Sequence, residues 1–114
     1  MSIQSELSMD GYQELANLTA IYPSDVGMMY CALGLCGESG EVADKLKKVI
    51  RDNNGELSDE VRLQVGKELG DVLWYVANLS TELGFSLEEI ARMNIEKLRS
   101  RSERGVLGGN GDER

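Results

Sequence analysis

Four acidic residues stand in two pairs of equal spacing, Glu38 and Glu41 in "GESGE", and Glu68 and Asp71 in "KELGD". A separation of three residues puts both members of a pair on one face of a helix. Four carboxylates gathered at one place repel one another, so they either change their proton affinity or hold a counter-cation. A site that offers only oxygens suits a hard divalent cation such as Mg²⁺, with Mn²⁺ as its substitute. Such a cation activates water and offsets the charge of phosphates. Small residues crowd the pairs: Gly34, Gly37, Ser39 and Gly40 around the first, Gly70 inside the second. Glycine inside a helix costs about 1 kcal/mol relative to alanine. Three of them in seven positions predict the close approach of another group, with room for a substrate. A plainer use competes with this one, because acids at this spacing also line ordinary solvated helix faces.

The elements that must carry these pairs are legible from caps and breaks. The single proline, Pro23, ends a first helix predicted over 8–21. Ser24 or Asp25 caps a second helix that runs to 51. "DNNGELS" is turn chemistry, with Gly55 suited to a helix C-terminus. Ser58 opens a third helix to 83, and "GFS" breaks it. Ser86 with Glu89 three residues on is a capping box for a fourth helix to 101. No strand-length alternation and no repeat occurs. At 100° per residue, Met28, Cys31, Leu35, Val42, Leu46 and Val49 form one apolar stripe, with Glu38 roughly 70° from its centre and Glu41 further out. Val65, Leu69, Val72, Val76 and Leu79 form another, flanked by Glu68 at roughly 70° with Asp71 beside it. Long helices with short connections predict an all-α, antiparallel four-helix bundle, its two acid pairs facing each other.

Composition sets the bounds. A chain of 114 residues is one domain with a modest core. A net charge of −8 argues against a nucleic-acid partner, which basic patches would recognise. No apolar run is long enough to span a membrane. "MSIQSELSMDGYQ" lacks the basic start and apolar centre of a signal peptide, so a cytoplasmic protein is expected. Cys31 and Cys36 are spaced for neither zinc nor a disulfide and read as reduced thiols. The chain holds no histidine, which removes Ser-His-Asp and Cys-His catalysis and excludes the E-x-x-H motifs of di-iron bundles.

"GESGE" followed after a turn by "KELGD" resembles the E-x-x-E…E-x-x-D signature of the MazG-like nucleotide pyrophosphohydrolases, an all-α superfamily. The resemblance runs from Tyr30 to about Arg104 and takes in "DVLWYVANLSTELGFSLEEIARMNIEKLRSR". It implies a MazG-like domain over 1–104, followed by a glycine-rich tail, 105–114, read as disordered or as ordering on binding. It also implies a bundle that oligomerises through its helices, as a homodimer or a dimer of dimers. The implied reaction is Mg²⁺-dependent hydrolysis of a nucleoside triphosphate between its α and β phosphates, giving a monophosphate and pyrophosphate, in service of clearing the nucleotide pool. Glu38, Glu41, Glu68 and Asp71 then correspond to the metal ligands, with Glu38 or Glu41 taking a proton from water. Gly37 stands where many members carry a further glutamate. Asn94 and Lys97 resemble the family's N-x-x-K pair near the phosphates.

Lys97, Arg101 and Arg104 lie along one face of the fourth helix and are candidates for the outer phosphates; Lys45 and Lys48 are weaker ones. Trp74 offers a ring to stack on a base, as does Tyr75, and Asn78 follows Asp71 on its face as a contact for base or ribose. Each has a competing structural use in core, interface or surface ion pair. Related dUTP, dCTP or phosphoribosyl-ATP pyrophosphatases are the neighbouring readings. The rival of another class is a non-enzymatic helical oligomer serving as an adaptor.

Overall fold

A computed structural model describes residues 6–114. Four α-helices and one short 3₁₀ turn make up its regular structure, with no strand among the described residues: α1 (Met9–Asn17), the turn Ser24–Val26, α2 (Gly27–Asn53), α3 (Asp59–Leu83) and α4 (Leu87–Glu103). The first five residues of the stretch read for a signal peptide lie outside the described residues.

The caps act largely as their residue types dictate. The Ser8 hydroxyl accepts from Gly11 N–H, Ser58 from Val61 N–H, and Ser86 with Glu89 forms the reciprocal capping box. Asn54 and Gly55 adopt left-handed backbone (φ 53° and 78°), which lets Gly55 N–H return to the Val49 carbonyl and close α2. Two boundaries differ from expectation. The first helix stops at Asn17 rather than 21, because its last amides tighten onto carbonyls three residues back and the Thr19 hydroxyl donates to the Ala16 carbonyl. Neither Ser24 nor Asp25 caps α2: both are consumed in the 3₁₀ turn after Pro23, and Val26 holds the cap position without a side-chain bond.

α2 and α3 form an antiparallel hairpin, since Gly27 neighbours Glu82, Gly34 neighbours Tyr75 and Lys45 neighbours Glu68. α3 is the hub. α1 and α4 pack together against it, and Gln13 joins all three: its amide nitrogen donates to Thr81 and the Phe85 carbonyl, and its oxygen accepts from Leu87 N–H. That last bond satisfies an amide in the first turn of α4 that no helical carbonyl can reach. The buried cluster sits at this junction: Ala16, Ala77 and Leu87, with Tyr12, Trp74 and Val76 against it.

The expected bundle does not close within one chain. Among the described residues α4 packs on α1 and α3 but makes no contact with α2. Met28, Leu46 and Leu69, expected inside, stand exposed, and so do Ile50 (73% exposed) and Leu63 (63%). The radius of gyration is 17.0 Å, against about 13 Å for a compact chain of this length. The accessible surface is 8299 Å², against about 6,200 Å² for a compact monomer of this mass. Long helices packed in pairs, with one hairpin face uncovered, account for both excesses.

The tail also departs from expectation. Residues 105–114 fold back on α4 rather than standing free: Arg101 donates to the main-chain oxygens of Gly111 and Asp112, and Arg114 to those of Val106 and Leu107. Both cysteines are free, as expected, Cys31 buried and Cys36 exposed.

Candidate functional site

Antiparallel packing of α2 on α3 brings together three of the four expected acids. Glu38, Glu68 and Asp71 place one carboxylate oxygen each within 4.8 Å of the others. Glu38 and Glu68 are half-buried between the helices, and Asp71, a turn further along α3, is exposed. Glu41 is exposed one turn beyond Glu38 and lies outside this group, though near enough for its charge to act on Glu38.

The Glu38 carboxyl is held above the usual carboxylate range, first by burial, then by a hydrogen bond shared with Glu68, then by the charges of Asp71, Glu68 and Glu41. One cation stands near: Lys45 Nζ lies 3.8 Å from Glu68 Oε1. An all-oxygen donor set whose members repel fits a hard divalent cation, which would relieve that repulsion. Glu38, Glu68 and Asp71 are the residues that would fit it, and Glu41 lies outside the group.

A cavity of about 290 Å³ opens beside the acids, lined by Glu38, Asp71, Trp74 and Tyr75. Its aromatic wall is fixed by packing. Trp74 meets Tyr75 edge to face at 4.9 Å, Tyr22 meets Trp74 at 6.3 Å, and Tyr30 stacks on Tyr22 at 5.1 Å. Trp74 Nε1 donates to Thr19 Oγ1 at 2.8 Å, which locks the indole to the segment leaving α1. A larger cavity, about 430 Å³, lies at the α2–α3 turn among Lys45, Lys48, Asp52 and Glu56. It is remote from the acid triad except through Lys45, and Lys48 is already paired with Asp44 at 2.7 Å.

The remaining expected site residues divide. Trp74 lines the acid cavity, as read. Asn78 is not available to a ligand: it is 0% exposed, its amide nitrogen donates to the Trp74 carbonyl, and its Oδ1 is enclosed without a partner. Asn94 is exposed on α4. Lys97 and Arg101 are engaged by the tail, and Arg101 is 4% exposed. α4 makes no close approach to α2, the helix that carries Glu38 and Glu41. Two residues matter more than their types announced. Tyr75 walls the cavity, and its ring fills the space above Gly34, so that glycine admits a tyrosine of the same chain rather than a substrate. Lys45, a weak phosphate candidate by position, pairs with Glu68. Gly37 and Gly40, by contrast, have no neighbour within 4 Å among the described residues.

An all-helical hairpin with an acid triad across its two helices, walled by aromatics, defines a helical protein with a candidate metal centre. Residues 29–106 match the MazG nucleotide pyrophosphohydrolase domain, and the chain belongs to that family. It is 45% identical over 114 residues to the Gene 37 protein of Mycobacterium phage L5, a match that covers 95% of this chain and all of that protein. No solved structure matches it.

Proposed function

We propose that this chain hydrolyses (deoxy)nucleoside triphosphates between the α and β phosphates, releasing a monophosphate and pyrophosphate, and so clears unwanted nucleotides from the pool. The observation that carries the reading is the triad of Glu38, Glu68 and Asp71 beside a cavity with an aromatic wall. Membership of the MazG family supports the reaction class.

Glu38, Glu68 and Asp71 would hold Mg²⁺, or Mn²⁺ in its place, with Glu41 as the fourth acid of the set. A divalent ion bound there lowers the pKa of a coordinated water and offsets phosphate charge. The chain's own residues do the rest. Glu38 or Glu41 accepts the proton of the attacking water. Oxygen adds to phosphorus, the α–β anhydride bond breaks, and its electron pair leaves on pyrophosphate. Trp74 and Tyr75 stack the base.

The outer phosphates need cations, and Asn94 with Lys97 and Arg101 are the candidates. Since α4 does not reach α2 within a chain, these come from a second copy in a homodimer or a dimer of dimers. The surface excess of about 2,100 Å² per chain is in the range that obligate dimers bury. The exposed apolar face of α2 and α3 is also what favours the adaptor reading, in which the acids are only solvated. A base preference for dUTP or dCTP, or a phosphoribosyl-ATP substrate, is a refinement within the same chemistry. The acidic surface and the absence, among the described residues, of any helix long and apolar enough to cross a membrane support a cytoplasmic enzyme without nucleic-acid or membrane partners.

The test is product analysis over a panel of dNTPs and NTPs with Mg²⁺, Mn²⁺ or EDTA, for the wild type and Glu41→Gln. Monophosphate and pyrophosphate in equal amounts, abolished by EDTA and strongly reduced in the variant, are expected. Folded protein that turns over no nucleotide with either metal overturns the reading in favour of the adaptor.

A further inference from the structure

The tail holds α4 in an uncommon way. Asp112 Oδ1 sits 3.1 Å from Lys97 Nζ and 3.2 Å from Arg101 Nη2. A single carboxylate therefore bridges two cations one helical turn apart. Arg101 is buried to 4% exposure, and its Nε is enclosed without a hydrogen-bond partner among the described residues. A guanidinium presents donors in a planar fork that a tetrahedral oxyanion satisfies at two points. Here one Nη2 carries all the bonding, to Asp112 Oδ1 and to the main-chain oxygens of Gly111 and Asp112, while Nε has nothing. The carboxylate thus meets the guanidinium at one nitrogen only, through Oδ1, and leaves Nε unmet. Asp112 itself is 80% exposed on its side chain, so solvent and solutes reach the bridge.

The backbone around Asp112 suits release. Gly105, Gly109 and Gly111 adopt positive φ (71°, 94° and 83°), so the segment is a succession of turns held by side chains rather than by a helix or strand. Arg114 fastens it at Val106 and Leu107, and Arg104 Nη2 donates to the main-chain oxygen of Arg114. Lys97 and Arg101 lower the proton affinity of Asp112, which keeps it charged across the neutral range.

We propose that Lys97 and Arg101 form an oxyanion site for a polyphosphate chain, and that the chain's own Asp112 occupies it as a tethered competitor which a diphosphate group displaces, freeing the tail. The identity of the polyphosphate as the substrate's outer phosphates rests on the hydrolase reading above; the site and its competitor do not. A pyrophosphate brings more charge and more acceptor oxygens than one carboxylate, so it competes for Lys97 Nζ and Arg101 Nη2 together. The tether works the other way: a short flexible link gives Asp112 an effective concentration on the order of millimolar. A weak anion at low concentration therefore does not open the tail, and a polyphosphate does.

The test uses the full chain in EDTA, so that the acid triad takes no part. Pyrophosphate affinity is measured by titration calorimetry for wild type, Asp112→Asn and Lys97→Gln, and amide hydrogen exchange of residues 106–114 is followed with and without pyrophosphate. Asp112→Asn is expected to bind about fivefold more tightly, the gain from removing one exposed ionic competitor. Lys97→Gln is expected to bind more weakly than wild type. Exchange across 106–114 is expected to rise on adding pyrophosphate, and not on adding a nucleoside monophosphate or sodium chloride at matched ionic strength. Equal affinity of wild type and Asp112→Asn, or pyrophosphate binding that leaves tail exchange unchanged, overturns the proposal. A response to any anion alike overturns it too, as simple screening. Loss of nucleotide turnover with these binding results intact would instead count against the hydrolase reading alone.

Discussion

Glu38→Gln is the most informative single change, because repulsion and metal binding pull its effect in opposite directions. Glu38 belongs to two carboxylate pairs within the triad, each no more than 4.8 Å apart. Two like charges at that distance cost about 1 kcal/mol at the dielectric of water and about 3.5 kcal/mol at that of a protein surface. Asp71 is exposed, so the water limit is the safe one, and the two pairs together cost about 2 kcal/mol. For a chain of 114 residues this is about 8 °C in melting temperature. The sign with pH follows from the raised proton affinity of Glu38. The folded chain holds that proton more tightly than the unfolded one, so the favourable contribution is complete below the unfolded pKa and is lost as pH rises through the folded value. In EDTA, wild type should therefore lose stability, as pH rises above the ordinary carboxylate range, that Glu38→Gln keeps, and the variant should melt about 8 °C higher at pH 8. Magnesium reverses the order. A ligand at a hundred times its dissociation constant adds about 2.7 kcal/mol to wild type, and the variant gains much less. The assay is thermal unfolding by circular dichroism at fixed protein concentration, with EDTA or Mg²⁺. A variant no more stable than wild type in EDTA at pH 8, or one that gains equally from Mg²⁺, refutes the charge-cluster argument.

The helix glycines give a paired prediction. Gly37→Ala meets nothing within 4 Å and should add about 1 kcal/mol of stability, whereas a Cβ at Gly34 overlaps the Tyr75 ring and should cost about 1–3 kcal/mol against that same gain, both read by denaturant melts. A drop in stability for Gly37→Ala as well would mean that a second copy covers that face. Leu63→Glu, on the exposed apolar side of α3, should weaken the proposed homodimer, read as a smaller mass by light scattering than wild type, and a wild type that is itself monomeric refutes the dimer.

Local chemistry made much of this protein legible before any fold was known. Ser58 and Ser86 each start a helix because a hydroxyl satisfies amides that the helix leaves unpaired, and Gly55 and Gly84 end one because they tolerate left-handed backbone. The acid spacing placed Glu68 and Asp71 on one face of α3 and Glu38 opposite them, since helical periodicity needs only the sequence. Glu41 shares that spacing yet falls outside the triad, because its position around α2 turns it toward solvent. The misreadings concern contacts between distant segments. Asn78 looked like a ligand contact by register, but packing leaves it fully buried. Gly34 looked like room for substrate, and Tyr75, forty-one positions away in the antiparallel partner, fills it. Lys97 and Arg101 read as phosphate candidates or surface ion pairs, and it is Asp112, in the tail, that folds back to pair with both. Which side of α2 would remain uncovered was likewise open, because an apolar stripe states that a face must be buried and not by what. Periodicity and capping act within a few residues and are fixed by the sequence alone. Partner choice among faces, cavity filling and the reach of a tail depend on which helices meet, and only the tertiary structure decides that.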